Sequence, residues 1–98
     1  MKICRGNYAE LQDVKLEQDE DYLIGTLVIR VVANGFDNVR ELHYPDEYGL
    51  FIQGDSPEEI KSHARILVGE MKRDLYAIFK FPQDKVDSLE IPVIKSKN

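Results

Sequence analysis

The segment that decides the fold is YPDEYGLFIQGDSPEEIKSHA, residues 44–64. Its second half predicts the first turn of a helix, because Ser56 has the side chain of an N-cap and Pro57 suits the first helical position. Glu59 completes a Ser-x-x-Glu capping box, in which its carboxylate reaches back to the backbone N–H of the capping serine. We therefore expect a helix to begin at this serine.

An apolar stripe continues this helix at steps of three and four residues, the spacing of one helical face. The stripe consists of Ile60, Ala64, Leu67, Met71, Leu75 and Ile78. Phe81-Pro82 should lie at the end of the helix or just past it, because the residue before a proline avoids helical geometry. Such a stripe has to pack against an apolar surface, and a sheet is the only candidate.

Apolar and alternating segments on both sides of the helix predict strands. The predicted strands are YAELQDVKLEQ (8–18), DYLIGTLVIRVVANG (21–35), VRELHY (39–44), LFIQ (50–53) and DKVDSLEIPVIK (84–95). The expected fold is α+β, an antiparallel sheet of four to five strands with one long helix packed on one face, in the order β-β-β-β-α-β. No linker divides residues 1–98, so we expect a single domain.

Particular residues refine these strands. Asn34-Gly35 predicts a tight turn, because both residues tolerate positive φ. Gly25 indicates a bulge in the second strand, and Pro92, which lacks a ladder donor, indicates an edge strand or a bulge. The inward positions of the first strand are expected to be Leu11, Val14 and Leu16.

Composition limits the class of protein. The chain has 98 residues, and charged residues make up 32% of it, which argues against a membrane protein. The single Cys4 cannot form an internal disulfide, and no segment is apolar enough to be a secretory signal or to span a bilayer. We therefore expect a cytoplasmic protein.

The net charge of −5 is unevenly distributed along the chain. Residues 37–60 carry one basic and seven acidic side chains, whereas residues 61–98 carry eight basic and five acidic ones. An acidic block repels a phosphate backbone and attracts a basic protein surface. The charge pattern therefore favours a basic protein partner over direct contact with nucleic acid.

The sequence offers little for catalysis. Its two histidines, His43 and His63, have no metal-ligand spacing, and no glycine-rich segment resembles a phosphate-binding loop. We therefore expect no enzyme activity, no cofactor and no metal site. One alternative stays open, a degenerate enzyme in which Asp46, Asp55 and Glu59 hold a divalent metal.

The order of residues in the opening segment resembles the core of the HicB-like antitoxin family. The matching positions are Pro45-Asp46, Gly49, residues 50–52, Gln53-Gly54-Asp55, Ser56, Glu58-Glu59 and Ala64. The chain departs from the family pattern with Leu50 where cysteine is frequent, Ile52 where threonine is frequent and Ile60 where alanine is usual. We expect residues 1–26 to form an additional N-terminal strand segment, and we expect a chain without the appended DNA-binding domain that many members of the family have.

The resemblance implies a partial ribonuclease-H-like fold, with three strands, a helix and a further strand. It also implies that the chain binds and masks a small basic ribonuclease toxin. The contact residues expected for this partner are Glu41, Tyr44, Asp46, Glu47, Tyr48 and Asp55. The alternative is a stand-alone inhibitor or binding module, of phage origin, that acts on another nucleic-acid enzyme. We also expect a homodimer, because an apolar strand such as TLVIRVVA at a sheet edge tends to be paired.

Overall fold

A computed structural model describes residues 8–19, 22–45 and 57–95 of the chain. The described elements follow one another as β1 (Tyr8–Asp19), β2 (Tyr22–Ala33), β3 (Phe36–Pro45), α1 (Pro57–Ala77), α2 (Gln83–Asp87) and β4 (Val93–Lys95). The fold is α+β, with one main helix packed against a sheet, as the sequence predicts. The predicted strand at residues 50–53 and the predicted cap at Ser56 lie outside the described residues.

The sheet has four strands in the order β3-β2-β1-β4. β1, β2 and β3 are antiparallel neighbours, but β4 runs parallel to β1, with Leu16 opposite Val93. The prediction of a purely antiparallel sheet is therefore wrong at this one edge. The physical reason is that the chain crosses over the sheet through α1 before it returns, and such a crossover can bring a strand back in parallel.

β2 and β3 form a long hairpin around the turn at Asn34-Gly35. Asn34 has φ 52° and Gly35 has φ 82°, the positive values that a tight hairpin turn requires, so the predicted turn is confirmed. β3 starts immediately after this turn, three residues earlier than predicted. The strand TLVIRVVA is not at an edge, because β2 pairs with both β1 and β3. The homodimer was predicted because this strand was expected to be an exposed edge, and that reason does not apply to a strand paired on both sides.

The bulge in the sheet lies in β1 and not in β2. The β1–β2 register shifts between Leu11 and Asp13, whereas the pairing of Gly25 with its neighbours on both sides is continuous. Gly25 faces α1 instead, and a Cβ atom at this position would lie 2.5 Å from the Sδ atom of Met71. The absence of a side chain at Gly25 therefore allows the helix to approach β2 closely.

The hydrophobic core lies between α1 and one face of the sheet. Leu67, Met71 and Leu75 of the predicted stripe are fully buried there, next to inward residues of β1 and β2. Ile78 was predicted to belong to this stripe but is 55% exposed. The helix ends at Ala77, so the chain changes direction and buries Phe79 instead.

The C-terminal segment differs most from its prediction. Residues 84–95 were expected to form one strand, but the chain forms α2 over Gln83–Asp87 and β4 over only Val93–Lys95. Pro82 stands immediately before α2, and its carbonyl accepts a hydrogen bond of 3.0 Å from the amide of Val86, which is buried against α1. Pro92 immediately precedes β4, which is an edge strand, as that proline predicted.

Candidate protein-binding face

The face of the sheet opposite α1 is called the open face here, and strand alternation determines which residues lie on it. The bulge in β1 is essential for this arrangement. Because the register shifts after Leu11, Asp13 comes to lie on the same side as Glu10, and the later odd-numbered residues of β1 follow it. The open face carries Tyr8, Glu10, Asp13, Lys15, Glu17 and Asp19 from β1, Ile24, Thr26, Val28, Arg30 and Val32 from β2, Asp37, Val39, Glu41, His43 and Pro45 from β3, and Ile94 from β4.

The open face is acidic. Its described residues include six carboxylates and two cations, a net formal charge of −4 with His43 neutral. Four of the carboxylates lie on β1 and two on β3, so they form two rows on either side of β2. The acidic surface is therefore assembled from strands that are far apart in sequence.

Both cations on the open face are held by carboxylates. Arg30 donates two hydrogen bonds to Asp37, of 2.9 Å from Nε and 2.5 Å from the guanidinium NH2 group. These bonds lower the pKa of the Asp37 carboxyl and raise the pKa of Arg30. Lys15 Nζ lies 3.1 Å from Oε1 of Glu17, and the hydrogen bond between them raises the pKa of Lys15. The remaining carboxylates, Glu10, Asp13, Asp19 and Glu41, are in excess over the cations.

Between the two acidic rows, the open-face side of β2 is largely apolar. Ile24, Val28 and Val32 are half-buried there, and Thr26 is only 6% exposed although neither of the two described helices lies on this side. A shallow concavity of about 260 Å³ lies around this threonine. It is lined by Lys15, Glu17, Asp19, Ile24, Thr26, Glu41 and His43.

The structure places two of the predicted contact residues on opposite sides of the sheet. Glu41 lies on the open face, whereas Tyr44 points toward α1, where it packs against both parts of the core. The hydroxyl of Tyr44 donates a hydrogen bond of 2.6 Å to Oδ2 of Asp74. The pKa of Tyr44 is raised, mainly because the side chain is partly buried and also because its hydroxyl donates this hydrogen bond. This tyrosine therefore has a structural role beneath the helix.

The other predicted contact residues, Asp46, Glu47, Tyr48 and Asp55, lie outside the described residues. Sequence reasoning missed the acidic residues of β1, which contribute most of the charge on the open face. Their signal was visible as acidic side chains next to the inward positions, because Glu10, Asp13 and Glu17 are the sequence neighbours of Leu11, Val14 and Leu16 respectively. To assign these acidic residues to one face, the position of the bulge has to be known, because the even-numbered residue Glu10 and the odd-numbered residues after the bulge lie on the same side of the strand.

The described residues contain no group of three or more His, Cys, Asp or Glu side chains that could hold a metal ion. Of the trio proposed for a divalent metal, Asp46 and Asp55 lie outside those residues, and Glu59 lies in the first turn of α1. Nε2 of His43 lies 3.4 Å from Oε1 of Glu41 on the open face. His63 is on α1, on the other side of the sheet, so the two histidines do not form a common site.

The arrangement defines an α+β chain with a four-stranded mixed sheet, one main helix on one face and an acidic surface on the other. Comparison of the chain with protein-family models, with curated proteins and with solved structures finds no match. Within the described ranges, no helix has the length and apolar character needed to cross a membrane.

Proposed function

We propose that the chain is an antitoxin-type binding protein that masks a small basic ribonuclease, as its resemblance to the HicB-like family implies. The observation that carries this proposal is the open face, on which six carboxylates from β1 and β3 flank an apolar strand. Of the elements that the resemblance implies, the described residues include the hairpin of β2 and β3, the helix α1 and a later strand, β4, whereas residues 50–53 lie outside them.

The physical mechanism is competition for the partner's cations. A ribonuclease binds the phosphates of its substrate with Lys and Arg side chains, and carboxylates form charge-assisted hydrogen bonds with the same groups. An acidic face also accelerates encounter with a cationic surface. The excess carboxylates Glu10, Asp13, Asp19 and Glu41 are available for such contacts, because the two cations of the face are held by Asp37 and Glu17.

The direct test is coexpression with the product of a short reading frame adjacent to the gene for this chain. We expect the two proteins to copurify and the ribonuclease activity of the partner to be suppressed in the complex. Mixing the purified proteins at micromolar concentration without complex formation would overturn the proposal. A complex that leaves the ribonuclease fully active would also overturn it, because masking is the proposed function.

A matched pair of double variants tests whether the open face makes the contact. Asp13→Asn/Glu41→Gln removes two exposed carboxylates from the open face, and Asp87→Asn/Glu90→Gln removes two exposed carboxylates near α2, which packs on the helix side. Both variants change the net charge equally. At low ionic strength we expect the first to slow association about fivefold and the second to change it less than about twofold. Equal effects would show that only net charge matters.

A further inference from the structure

We propose that the open face binds an amphipathic helix of the basic partner, lying along β2 with its apolar stripe on that strand and its Lys and Arg side chains over the two acidic rows. This inference rests on the proposed function for the charge of the partner. It goes further because it says that the face recognises a helix of the partner and that the axis of this helix runs along β2.

The spacing of the strands fits a helix. Neighbouring strands lie about 4.8 Å apart, so β1 and β3 flank β2 with a separation of roughly 10 Å between them. A helix with its side chains is about 10–12 Å in diameter. Its apolar stripe would therefore lie over β2 while the flanking cations reach carboxylates on β1 and β3. Those carboxylates include Glu10 and Asp13 on one side and Glu41 on the other.

The length of the apolar strip sets the length of the helix. Ile24 and Val32 are eight residues apart on β2, which corresponds to roughly 27 Å of strand. A helix of about 18 residues has this length. Arg30 interrupts the strip, but its guanidinium is bound to Asp37 on β3 and therefore lies toward the edge of the face. Val39, which is 59% exposed, lies directly opposite Arg30 and extends the apolar surface there.

A helix suits this face better than an extended segment does. A segment that lies flat on a sheet face has no strand ladder to join, so its backbone N–H and C=O groups would lose water without gaining partners. A helix satisfies these groups internally and presents only side chains. The half-buried β2 side chains offer it apolar contact, and the carboxylate rows offer it charge pairing.

Three competing occupants come from the chain: residues 46–56, residues 1–7 and a second copy of the molecule. Residues 46–56 carry three carboxylates and no cation, so their charge has the same sign as the open face, whereas residues 1–7 carry two cations and no carboxylate. A second copy could present the exposed cations of α1, Lys61, Arg65 and Arg73. Of the large apolar side chains of α1, only Ile66 is exposed, so this helix lacks a matching apolar stripe. Stacking of this kind is also head-to-tail and does not close.

The test uses a fluorescent synthetic peptide of 18 residues that contains only Leu, Lys and Ala, with Leu at helical spacing and Lys on both flanks. A scrambled peptide of identical composition, without the stripe, is the control. By fluorescence anisotropy at low ionic strength, we expect the amphipathic peptide to bind at least about tenfold more tightly than the scrambled one. Equal affinities would show that charge alone drives binding, and would overturn the inference.

Variants of the chain test whether the peptide binds at the open face. Asp13→Asn/Glu41→Gln should weaken peptide binding about fivefold, and Asp87→Asn/Glu90→Gln less than about twofold. Val28→Thr keeps a β-branched residue on β2 but makes the strip more polar, and it should weaken binding about threefold without loss of fold by circular dichroism. Backbone amide shifts in the NMR spectrum should change along β2 and its two neighbours. Changes confined to α1 or α2 would overturn the inference.

The competing occupants give distinct results. If a variant lacking residues 1–6 bound the peptide several times more tightly than the full chain, the chain's own N-terminal segment would be the occupant. If sedimentation showed self-association that Asp13→Asn/Glu41→Gln abolished, a second copy would be the occupant. Either result overturns the inference while leaving the proposed function intact. Conversely, failure of the adjacent-frame protein to bind would remove the function without altering the peptide result.

Discussion

The two faces of the sheet are built from the same three strands but differ in chemistry. On the helix side, β2 contributes Leu23, Leu27 and Ile29, all fully buried, and its neighbours contribute further apolar side chains. On the open face, β2 is again largely apolar, whereas β1 and β3 carry charged residues. The central strand thus has the two-sided apolar character of a strand covered on both faces, and its neighbours do not.

This difference shows that the two strands next to β2, β1 and β3, determine the chemistry of each face. A sheet with one solvated face ordinarily alternates apolar and polar residues in every strand. Here the alternation is clear in β1 but weak in β2, and residues 36–41 of β3 are exposed on both sides, so the open face combines an apolar centre with charged margins. An apolar centre within a polar rim is typical of protein-binding surfaces, which agrees with the function proposed above.

The difference in burial between the two faces is tested most strongly by truncating two adjacent residues of β2 that point to opposite faces. Leu27→Ala removes a fully buried side chain and should lower the free energy of unfolding by about 3 kcal/mol. Val28→Ala, on the half-buried open side, should cost about 1 kcal/mol or less. Urea denaturation followed by circular dichroism measures both. Equal losses would mean that the two faces are equally buried in solution.

Gly25 tests the close approach of α1 to β2. In Gly25→Ala the new methyl group would meet Met71, whose flexible side chain must then move, so we expect a loss of about 1–2 kcal/mol in stability. The double variant Gly25→Ala/Met71→Leu removes the sulfur that the methyl group meets. Its loss should be smaller than the sum of the two single losses by at least about 0.5 kcal/mol. Strict additivity in denaturant melts would argue against the contact.

Local chemistry in the sequence was sufficient to predict much of the fold. The turn at Asn34-Gly35 and the burial of Leu67 and Met71 follow from residue types and spacing within a few positions. By contrast, the parallel return of β4 depends on the path of the whole chain over the sheet. Its strand was overpredicted because Pro82 and the buried Val86 instead support a short helix.

The candidate site was harder to predict from sequence for a related reason. The acidic block in residues 37–60 drew attention to β3 and the segment after it, but most carboxylates of the open face come from β1. Which face those carboxylates occupy depends on a one-residue register shift near Leu11, and an equal shift elsewhere would reverse the assignment. Tyr44 was selected as an aromatic anchor, although strand parity places it beneath α1.

The hydrogen bond between Tyr44 and Asp74 provides a test of the packing between β3 and α1 on the helix side of the sheet. Tyr44→Phe removes a hydroxyl that donates a hydrogen bond of 2.6 Å to a carboxylate. We expect the free energy of unfolding to fall by about 1 kcal/mol, and not by more, because the side chain is only half-buried. Tyr76→Phe removes the same group from another half-buried tyrosine and serves as the control. If both variants lose equal stability at pH 7, the bond to Asp74 has no specific contribution.

Alkaline pH provides an independent measurement of the same bond. Burial and the hydrogen bond to Asp74 raise the pKa of Tyr44, so the folded state favours its neutral form. This contribution is fully present below the unfolded value of about 10 and is lost as the pH rises above it toward the folded value. The wild-type chain should therefore lose stability more steeply above about pH 10 than Tyr44→Phe. Parallel stability curves for the two proteins would contradict the assignment.

The smallest effect is expected at the ion pair of the open face. Arg30→Gln removes the partner of Asp37, but both groups are exposed, so the change in stability at pH 7 should be too small for urea denaturation to resolve. The Asp37 carboxyl reports the change directly. Its pKa is lowered by Arg30, so the pair stabilises the fold above the unfolded value of about 3.9 and ceases to do so as the pH falls through the folded value.

In the Arg30→Gln variant, an NMR titration should show the pKa of Asp37 rising toward that unfolded value, and the two proteins should have equal stability at a pH below both pKa values. The same substitution makes the open face more acidic, so it should strengthen binding of the cationic amphipathic peptide. A residue that hardly affects folding would then alter binding, whereas Leu27, which lies on the helix side of the same strand, should do the reverse. A large loss of stability in Arg30→Gln would show that the open face has a structural role.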